Sequence, residues 1–572
     1  APVREDAARA YYWPYESREN LHVLLNTFAN RVVWAEGTGS GPATAKGVEV
    51  TLKTGAISTI GATKEVIVSA GALKTPAILE LSGIGNPDIL HKHNISVKVD
   101  LPTVGENLQD QTNSHMDASS NRTLCGGKPV SYPNIYDILG DEAETVGNKL
   151  RANLKKYAEE SAKANGNVMK AADLERLFEV QYDLIFKKNT PVAEILNYAA
   201  DKTLSTEFWS LLPFARGNVH IASANPKQFP TINPNYFMFE WDVESFAAVG
   251  QYIRRSYETK PLSTLVKEAT PGLKNVPQDA SVEQWKEWVF DGNYRSNFHP
   301  VGTAAMMPRA MGGVVDNRLK VYGTSNVRVV DASALPYQVC GHLVSTLYAV
   351  AERAAELIKA DAAAVGTSSS YDYIVIGGGT SGLTVANRLS EDPNVNVLII
   401  EAGDSVLNNP NVTTVDGYGL AFGTEIDWQY QSVNQTYAGN VPQVLRAGKA
   451  LAGTSAINGM AYTRAEDVQI DAWETIGNEG WTWKNLFPYY LKSENFTKPT
   501  KTQLELGASY NLEYNGENGP LNVAFTKLEC NSLTTYLNRT FQAMGLPWSK
   551  DLNGGKMRGF NIFPATINYE EY

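Results

Sequence analysis

Cysteine is scarce in this chain of 572 residues. It occurs three times, at Cys125, Cys340 and Cys530, and never with C-x-x-C spacing, which excludes a disulfide framework and a thiolate zinc site. No metal centre is therefore expected. At most one disulfide can form, and the sequence leaves open whether Cys125 pairs with Cys530. We expect Cys340 to be a buried thiol with a packing role.

Long apolar runs are missing as well. Those at residues 374–376 and 397–400 are far shorter than the ~20 residues that span a bilayer, so no membrane partner is expected. No basic segment followed by an apolar stretch is visible after Ala1, and we expect no signal peptide in the chain as it stands. N-x-S/T triplets suit a secreted glycoprotein, although an asparagine-rich chain gives about as many by chance; they begin at Asn94, Asn121, Asn411, Asn434, Asn495 and Asn538.

Positive charge is in deficit. Lysine and arginine number 50 against 61 aspartates and glutamates, and the formal net charge is −11. This balance repels phosphate backbones, so nucleic acid is not expected as a partner. Apolar residues make up 43% and charged residues 19%, which predicts a large globular protein of several domains or of two large interleaved ones.

The most informative segment that is present begins far from the N-terminus. Residues 371–376 form an apolar run that predicts a buried strand, and they lead directly into Gly377-Gly-Gly379-Thr-Ser-Gly382. An amphipathic helix pattern follows, and residues 395–400 predict a second buried strand. The three parts together predict a βαβ unit.

The glycines of this unit fit dinucleotide binding. Gly377, Gly379 and Gly382 permit a tight turn, close approach of the backbone to a pyrophosphate, and close packing of the helix on the strand. Glu401 lies 19 residues past Gly382, where a carboxylate accepts hydrogen bonds from a ribose diol. A chance glycine-rich turn would lack the flanking strands and the acidic residue.

The position of the unit suggests a rotated chain order. Such a unit usually opens a domain, but here it follows residues 360–370, which have the small-residue composition of a flexible linker. If residues 371–572 are placed before residues 1–362, the new junction is polar and suits an exposed loop. We therefore hypothesise a circular permutant; the alternative is a renumbered chain that has been nicked.

Two further motifs extend the pattern. A glycine- and serine-rich loop spans residues 446–460, and a predicted strand at 65–70 leads into Gly71-Ala-Leu-Lys-Thr75-Pro76 and on to Gly85. With the dinucleotide fingerprint, these stretches resemble the two signature motifs of the glucose-methanol-choline family of FAD oxidoreductases. The resemblance covers essentially the whole chain in permuted order, and it continues through residues 104–110, 299–303 and 326–336.

The resemblance implies an α/β (α+β overall) fold. A Rossmann-like FAD-binding domain would be interleaved with a substrate-binding domain built on an antiparallel sheet. The FAD-binding domain would comprise residues 371–475 together with 1–110 and 310–362, the last two ranges including some portions of the substrate-binding domain. The substrate-binding domain would comprise mainly residues 111–309 and 476–572. Residues 363–370 would form the linker. The residues implied to bind FAD are Gly377, Gly379, Thr380, Ser381, Gly382, Glu401, Ala402, Arg446, Gly448, Gly453, Thr454, Asn458, Gly459, Met460, Ala461, Ala29, Ser69, Ala70, Asp331, Ala332, His342, Leu343 and Val344.

Two positions depart from the family pattern. Gln111 stands where histidine is common, and Ala452 stands where glycine is usual. A positive φ at residue 452 would cost ~1 kcal/mol, whereas a negative φ would let alanine stabilise the fold by restricting the unfolded chain. We expect the negative φ.

Two of the seven histidines are candidates for catalysis. On the residues alone, His299 and His342 would each be a structural histidine. The resemblance implies instead that they are paired catalytic residues facing the flavin N5, because a neutral imidazole can accept a hydroxyl proton. A helical stripe that begins near Ser345 would direct its positive end toward the isoalloxazine.

Within the family, the chain looks most like the fungal FAD-dependent glucose dehydrogenases, on residues 295–308, 205–217 and 233–241. That likeness implies polar contacts to sugar hydroxyls, which discriminate against analogues that lack them. The contacts would come from Glu207, Arg295 and Asn297, with Tyr418 as a wall of the pocket. For Glu207 the residues alone equally allow an acid at the start of a helix.

The implied reaction is oxidation of D-glucose at C1 to glucono-1,5-lactone. His299 would take the hydroxyl proton, hydride would pass to flavin N5, and a quinone or artificial mediator would take the electrons. The alternatives are a glucose oxidase that uses O₂, another alcohol or sugar oxidoreductase, a lyase such as the plant hydroxynitrile lyases of this fold, and a non-catalytic flavin-binding protein. The resemblance further implies a monomer or weak dimer and a secreted parent protein.

Overall fold

The computed structural model of the protein describes residues 2–36, 41–361, 371–528, 530 and 532–569. The expected linker at 363–370 lies outside the described residues, as do Ala1 and residues 570–572 of the expected junction. No helix in the described part is both long enough and apolar enough to span a bilayer.

Most strands belong to two large sheets. In chain order they are β1 (Val3–Arg4), β2 (Leu21–Leu24), β3 (Phe28–Trp34), β4 (Ala45–Thr51), β5 (Ile57–Val68), β6 (Ile84–Gly85), β7 (Val99–Asp100), β8 (Thr112–Ser120), β9 (Pro129–Tyr132), β10 (Ala193–Ala200), β11 (Thr203–Ser210), β12 (Asn218–His220), β13 (Thr231–Asn233), β14 (Val266–Thr270), β15 (Arg295–Ser296), β16 (Val327–Val329), β17 (Tyr371–Ile376), β18 (Val397–Ile400), β19 (Tyr430–Gln431), β20 (Val444–Leu445), β21 (Glu494–Phe496), β22 (Leu521–Val523), β23 (Gly559–Ile562) and β24 (Ile567–Asn568).

The helices pack around these sheets. In chain order they are α1 (Ala7–Tyr11), α2 (Thr75–Leu81), α3 (Pro87–Lys92), α4 (Ile135–Leu139), α5 (Ala143–Ala164), α6 (Ala171–Phe186), α7 (Glu240–Glu258), α8 (Val282–Phe290), α9 (Leu343–Asp361), α10 (Thr380–Leu389), α11 (Pro410–Thr413), α12 (Asp467–Thr475), α13 (Trp483–Ser493), α14 (Lys501–Glu505) and α15 (Ser532–Ala543).

The first large sheet has the order β2-β18-β17-β5-β4-β3, with β16 also paired to β5. Strand β17 lies between β18 and β5 and runs parallel to both, and β2 and β16 extend the parallel part. All four residues of β18 and the last four of β17 are buried, as expected where helices cover both faces of a parallel sheet. The predicted strand, glycine turn, helix and strand are therefore present as β17, α10 and β18.

The second large sheet is antiparallel, with the order β14-β8-β11-β10-β9-β23 and with β15 paired to β8. Along β11, buried residues first alternate with partly exposed ones, which is typical of an antiparallel sheet with one face toward the core. Its strands are drawn from residues 112–296 and 559–562. Those of the first sheet are drawn from residues 21–68, 327–329 and 371–400.

The two ends of the described chain lie side by side. Strand β1 pairs antiparallel with β24, so that Val3 is opposite Asn568 and Arg4 is opposite Ile567. Cys125 and Cys530 form a disulfide with their Cα atoms 5.9 Å apart, which answers the question that the sequence left open. Cys340 is a free, buried thiol whose Sγ donates to the carbonyl oxygen of Pro191 at 3.3 Å.

Candidate active site

A cavity of about 480 Å³ is lined by residues of both large sheets and by the loops after their strands. It brings together all of the residues predicted to bind the cofactor except Gly382, together with all four predicted substrate contacts and both predicted catalytic histidines. Gly382 serves the packing of the turn instead, since a Cβ there would lie 2.0 Å from the carbonyl oxygen of Gly377.

The glycine turn forms a cradle at the wall of this cavity. Gly377 has φ +106°, and a Cβ on it would lie 2.4 Å from the carbonyl oxygen of Ser69. On the side of Gly379, the nearest atom to a hypothetical Cβ is 3.7 Å away, so the backbone there is open to a ligand. Helix α10 begins at Thr380, and its first N–H groups have no partner within the helix. This arrangement fits a pyrophosphate.

Glu401 lies directly after β18 and braces the same turn. Its Oε2 accepts from the Gly378 N–H at 2.8 Å, and its Oε1 accepts from the Gly403 N–H at 2.7 Å. Burial raises the pKa of this carboxyl to about 7. Because each carboxylate oxygen has a second lone pair, Glu401 can still accept from a ribose hydroxyl in the cavity. The buried Ser69 Oγ, which also lines the cavity, has no hydrogen-bond partner among the described residues.

The glycine- and serine-rich loop contributes the opposite wall of the turn. The Ala452 N–H donates to the carbonyl oxygen of Gly378 at 2.8 Å, which ties this loop to the cradle. Ala452 has φ +100° and ψ −12° and is fully buried. The expectation of a negative φ at this position is therefore wrong, because the loop must turn sharply to reach Gly378.

Replacing Ala452 by glycine is expected to stabilise the fold by about 1 kcal/mol. The Cβ of alanine is strained at positive φ, and that strain exceeds the entropy that glycine adds to the unfolded chain. Urea unfolding of the two proteins measures the difference. Ala465→Gly, at a buried alanine without a positive φ, is the matched control and should destabilise the fold. Equal losses of unfolding free energy in both variants would show that Ala452 is not strained.

His299 is held by groups on both its backbone and its ring. The backbone N–H donates to Asp110 Oδ1 at 3.0 Å, and the carbonyl oxygen accepts from Gln338 Nε2 at 2.6 Å. On the ring, Nδ1 lies 2.8 Å from Gln111 Oε1. Burial, followed by the charges of His342 and Arg295, lowers the pKa of His299 well below 6.5. The imidazole is therefore neutral and able to accept a proton at neutral pH.

His342 faces His299, with the ring centroids 5.6 Å apart and the planes nearly perpendicular. Its Nε2 lies 2.8 Å from Oε1 of the fully buried Glu194, and its backbone N–H donates to Thr463 Oγ1 at 3.0 Å. Helix α9 begins at Leu343, two residues before the expected start, and its first turn lines the cavity. The positive end of the helix is thereby directed at the cavity, and its place beside an isoalloxazine stays a prediction.

The predicted substrate contacts form a polar wall. Arg295 Nη2 lies 3.2 Å from Glu207 Oε2, and Tyr198 donates to Glu207 Oε1 at 3.3 Å. Glu207 lies within strand β11, so the helix-start interpretation is wrong. Tyr418 packs edge-on against Phe422 at a centroid distance of 5.3 Å.

The side-chain amide of Asn297 is engaged within the protein. Its Oδ1 accepts from Asn113 Nδ2 at 2.9 Å, and its Nδ2 lies 3.3 Å from Gln111 Oε1 and 3.1 Å from His299 Nδ1. The amide therefore supports the ring of His299 as well as lining the cavity.

Sequence reasoning missed several residues of this site. Glu194 carried a signal, since it is the single acid in the apolar run at residues 191–196. Gln111 was noted only as a departure from a pattern. Trp209, Tyr198 and Lys128 also line the cavity, and no local motif marks them, because their position depends on strand pairing far along the chain.

The chain is similar to one protein family and to a solved structure. Two family models described as GMC oxidoreductase match the chain, one over residues 2–113 and 371–569 and the other over residues 213–351. A fungal aryl-alcohol oxidase structure aligns with a TM-score of 0.54 at 27% identity, covering 61% of this chain and 62% of that chain.

Curated relatives agree with the family models. The glucose oxidase-like protein fsoC of Humicola fuscoatra is 44% identical over 359 residues, covering 62% of this chain and 60% of that protein. The glucose oxidase of Penicillium chrysogenum is 36% identical over 363 residues, covering 63% and 59%. The match thus spans about three fifths of the length of these relatives. One family model matches more than half of the residues of this chain. The chain therefore belongs to the GMC oxidoreductases, a family of flavoproteins that bind FAD.

Proposed function

We propose that the protein is an FAD-dependent glucose 1-dehydrogenase that oxidises D-glucose at C1 to glucono-1,5-lactone. The observation that carries this proposal is one cavity that joins the glycine cradle to a pair of facing imidazoles, of which His299 is neutral. FAD held there would supply the acceptor for the hydride that leaves C1. The cofactor-lining residues given above would hold it.

The chain's own residues divide the remaining work. His299 takes the proton of the C1 hydroxyl through the ring nitrogen that Gln111 does not contact. His342, oriented by Glu194, hydrogen-bonds the same hydroxyl and shares the charge that develops on it. His299 supplies the neutral base, and Glu194 fixes the ring of His342 beside it.

Sugar recognition is assigned to the polar wall. Glu207 and Arg295 present charged groups to the cavity, and Asn297 and Tyr418 line it beside them. A site whose polar groups become unpaired when a hydroxyl is missing discriminates more strongly than an apolar pocket. This supports a polyhydroxylated substrate over a simple aliphatic alcohol.

The electron acceptor is proposed to be a quinone or an artificial mediator. A second candidate is O₂, which would make the protein a glucose oxidase, and it is favoured by the relatives that carry that name at 36–44% identity. The two acceptors share the residues that oxidise the sugar, so the acceptor is separated by experiment and not by the site.

Anaerobic mixing with D-glucose is expected to bleach the visible absorbance of the bound flavin, measured by stopped flow. Recovery of the absorbance with benzoquinone, but not with air-saturated buffer, is the expected result for a dehydrogenase. Fast recovery of the absorbance in air-saturated buffer would show that the protein is an oxidase. Absence of bleaching would overturn the sugar assignment and favour another alcohol, a lyase or a non-catalytic protein. Xylitol, which lacks an anomeric carbon, is the matched control.

We propose that the chain is a circular permutant of its relatives, with a Rossmann-like FAD-binding domain and a substrate-binding domain that have the boundaries expected from the sequence. Support comes from the single family model that matches both residues 2–113 and residues 371–569, with the other model between them. The shared edge of β1 and β24 supports a junction of once-continuous chain. The alignments with two relatives span 359 and 363 residues, a length close to that of the part before residue 363.

A secreted parent and a monomeric or weakly dimeric state are part of the same proposal. None of the six asparagines that begin N-x-S/T triplets is buried, so each is accessible to a glycan.

A further inference from the structure

We propose that Gln111 is a positioning residue that fixes the tautomer of His299, with the proton on Nδ1 and the basic lone pair on Nε2. The inference rests on the proposed function for its catalytic meaning, but the tautomer itself is a property of the protein alone. Gln111 is fully buried and belongs to the segment that precedes strand β8.

The orientation of the Gln111 amide is set by its other end. Its Nε2 donates to the carbonyl oxygen of Leu211 at 3.2 Å. Because a carbonyl oxygen can only accept, the amide atom that faces it must be the nitrogen. The atom directed at His299 is therefore Oε1, which lies 2.8 Å from Nδ1. Exchange of the two amide atoms would place oxygen against the oxygen of Leu211.

An amide oxygen can only accept, so Nδ1 of His299 must carry a proton to make this bond. In a neutral imidazole the other nitrogen, Nε2, then holds the lone pair. Asn297 makes one contact that competes with this assignment. Since its Oδ1 accepts from Asn113, its Nδ2 lies 3.3 Å from Gln111 Oε1 and 3.1 Å from His299 Nδ1. The contact from Nδ1 to Gln111 Oε1 is shorter, at 2.8 Å, and we assign the proton of Nδ1 to it, so that Asn297 Nδ2 donates to the second lone pair of Gln111 Oε1.

The same segment also fixes the ring in place. Asp110, the neighbour of Gln111, accepts from the backbone N–H of His299 and from the hydroxyls of Ser296 and Tyr236. Because Asp110 and Gln111 are consecutive, one short stretch of chain holds both the backbone and the ring of His299. The position that departs from the family pattern is thus the one that contacts the base directly.

The ionisable groups that face His299 are few. His342 faces the ring, Arg295 lies on its own segment and is paired with Glu207, and Asp110 contacts its backbone. The charges of His342 and Arg295 add to burial in lowering the pKa of His299, and Gln111 brings no charge to oppose them. A neutral amide therefore selects the tautomer without making the ring cationic.

The test uses histidine ¹⁵N NMR on the FAD-bound protein, with His299→Asn to assign the signal. The expected result is a proton on Nδ1 of His299 in the wild type and loss of that preference in Gln111→Met, which has a similar shape but no acceptor. Gln338→Met, which removes a contact to the backbone of His299 and none to its ring, should keep the wild-type tautomer. A proton on Nε2 in the wild type, or an unchanged signal in Gln111→Met, would overturn the inference.

Kinetics provide the second readout. Gln111→Met is expected to slow flavin bleaching by glucose about 10²-fold, because the wrong tautomer removes the base. Gln111→Glu should shift the acid limb of the bleaching rate to higher pH, since a carboxylate at Nδ1 raises the pKa of the ring. An acid limb at the same pH as in the wild type would contradict the contact between residue 111 and the ring of His299. If the wild type itself does not bleach, the proposed function fails while the NMR result still decides the role of Gln111.

Discussion

Replacing His299 by asparagine is expected to slow the bleaching of bound flavin by D-glucose by about 10²- to 10⁴-fold, the range that a general base contributes. Asparagine keeps a polar side chain in the cavity but has no group that accepts a proton at neutral pH. The retained absorbance of FAD after gel filtration would show that cofactor binding survives. Single-turnover stopped flow separates this chemical step from acceptor turnover.

The pH dependence has a definite sign. His299 acts when neutral, and its pKa is lowered well below 6.5 by burial, His342 and Arg295, so the bleaching rate of the wild type should remain high down to pH values below 6.5. His91→Asn, at an exposed histidine of helix α3, is the matched control and should bleach at the wild-type rate. A loss of less than tenfold in His299→Asn would reassign the base to His342.

Replacing His220 by glutamine is expected to destabilise the fold by about 3–5 kcal/mol. The imidazole lies between two carboxylates, with Nδ1 2.7 Å from Glu80 Oε1 and Nε2 2.9 Å from Glu106 Oε1. Glu80 is fully buried and Glu106 nearly so. Glutamine cannot donate to both or carry a charge, so two acidic groups are left buried without a cation. The urea midpoint measures the loss.

The same cluster makes stability depend on pH. Burial alone would lower the pKa of His220, but hydrogen bonds to Glu106 and Glu80 raise it to about 10. Because the folded-state pKa is above the unfolded value of about 6.5, the stabilisation is fully present below pH 6.5 and is lost as pH rises toward 10. The stability difference between wild type and His220→Gln should therefore shrink across that interval.

His115→Gln is the matched control, since His115 is half exposed and lies 4.0 Å from its acidic neighbour Asp117. It should cost less than about 1 kcal/mol. A cost of that size in His220→Gln as well would show that the imidazole is neutral in the folded protein.

The sequence predicted the parts of the fold that are encoded locally. The apolar run at 371–376, the glycine turn and Glu401 lie within about thirty residues, and the structure contains the same strand, turn, helix and strand. The family resemblance extended this to the cavity, since the widely separated motifs at 65–85, 299–303, 326–336 and 446–460 contribute residues to its walls. Periodicity and glycine spacing are sufficient where the contacts are close in sequence.

What the sequence could not predict depends on distant pairing. Glu207 was ambiguous because Ser205 and Thr206 resemble a helix cap, and only its pairing opposite Leu196 and His115 makes it a strand residue. Ala452 has positive φ because its N–H must reach Gly378, 74 positions earlier in the chain. The role of Gln111 required the carbonyl of Leu211, which no local pattern indicates.

The disulfide between Cys125 and Cys530 joins residues 405 positions apart, on opposite sides of the segment 362–370. A protease that cuts within that segment would therefore leave one covalent molecule, and only a reducing agent together with a denaturant would release two fragments. The two halves of the cavity remain tethered at high effective concentration after such a cut. The continuity of the backbone at 362–370 and the integrity of the active site are thus separable properties of this protein.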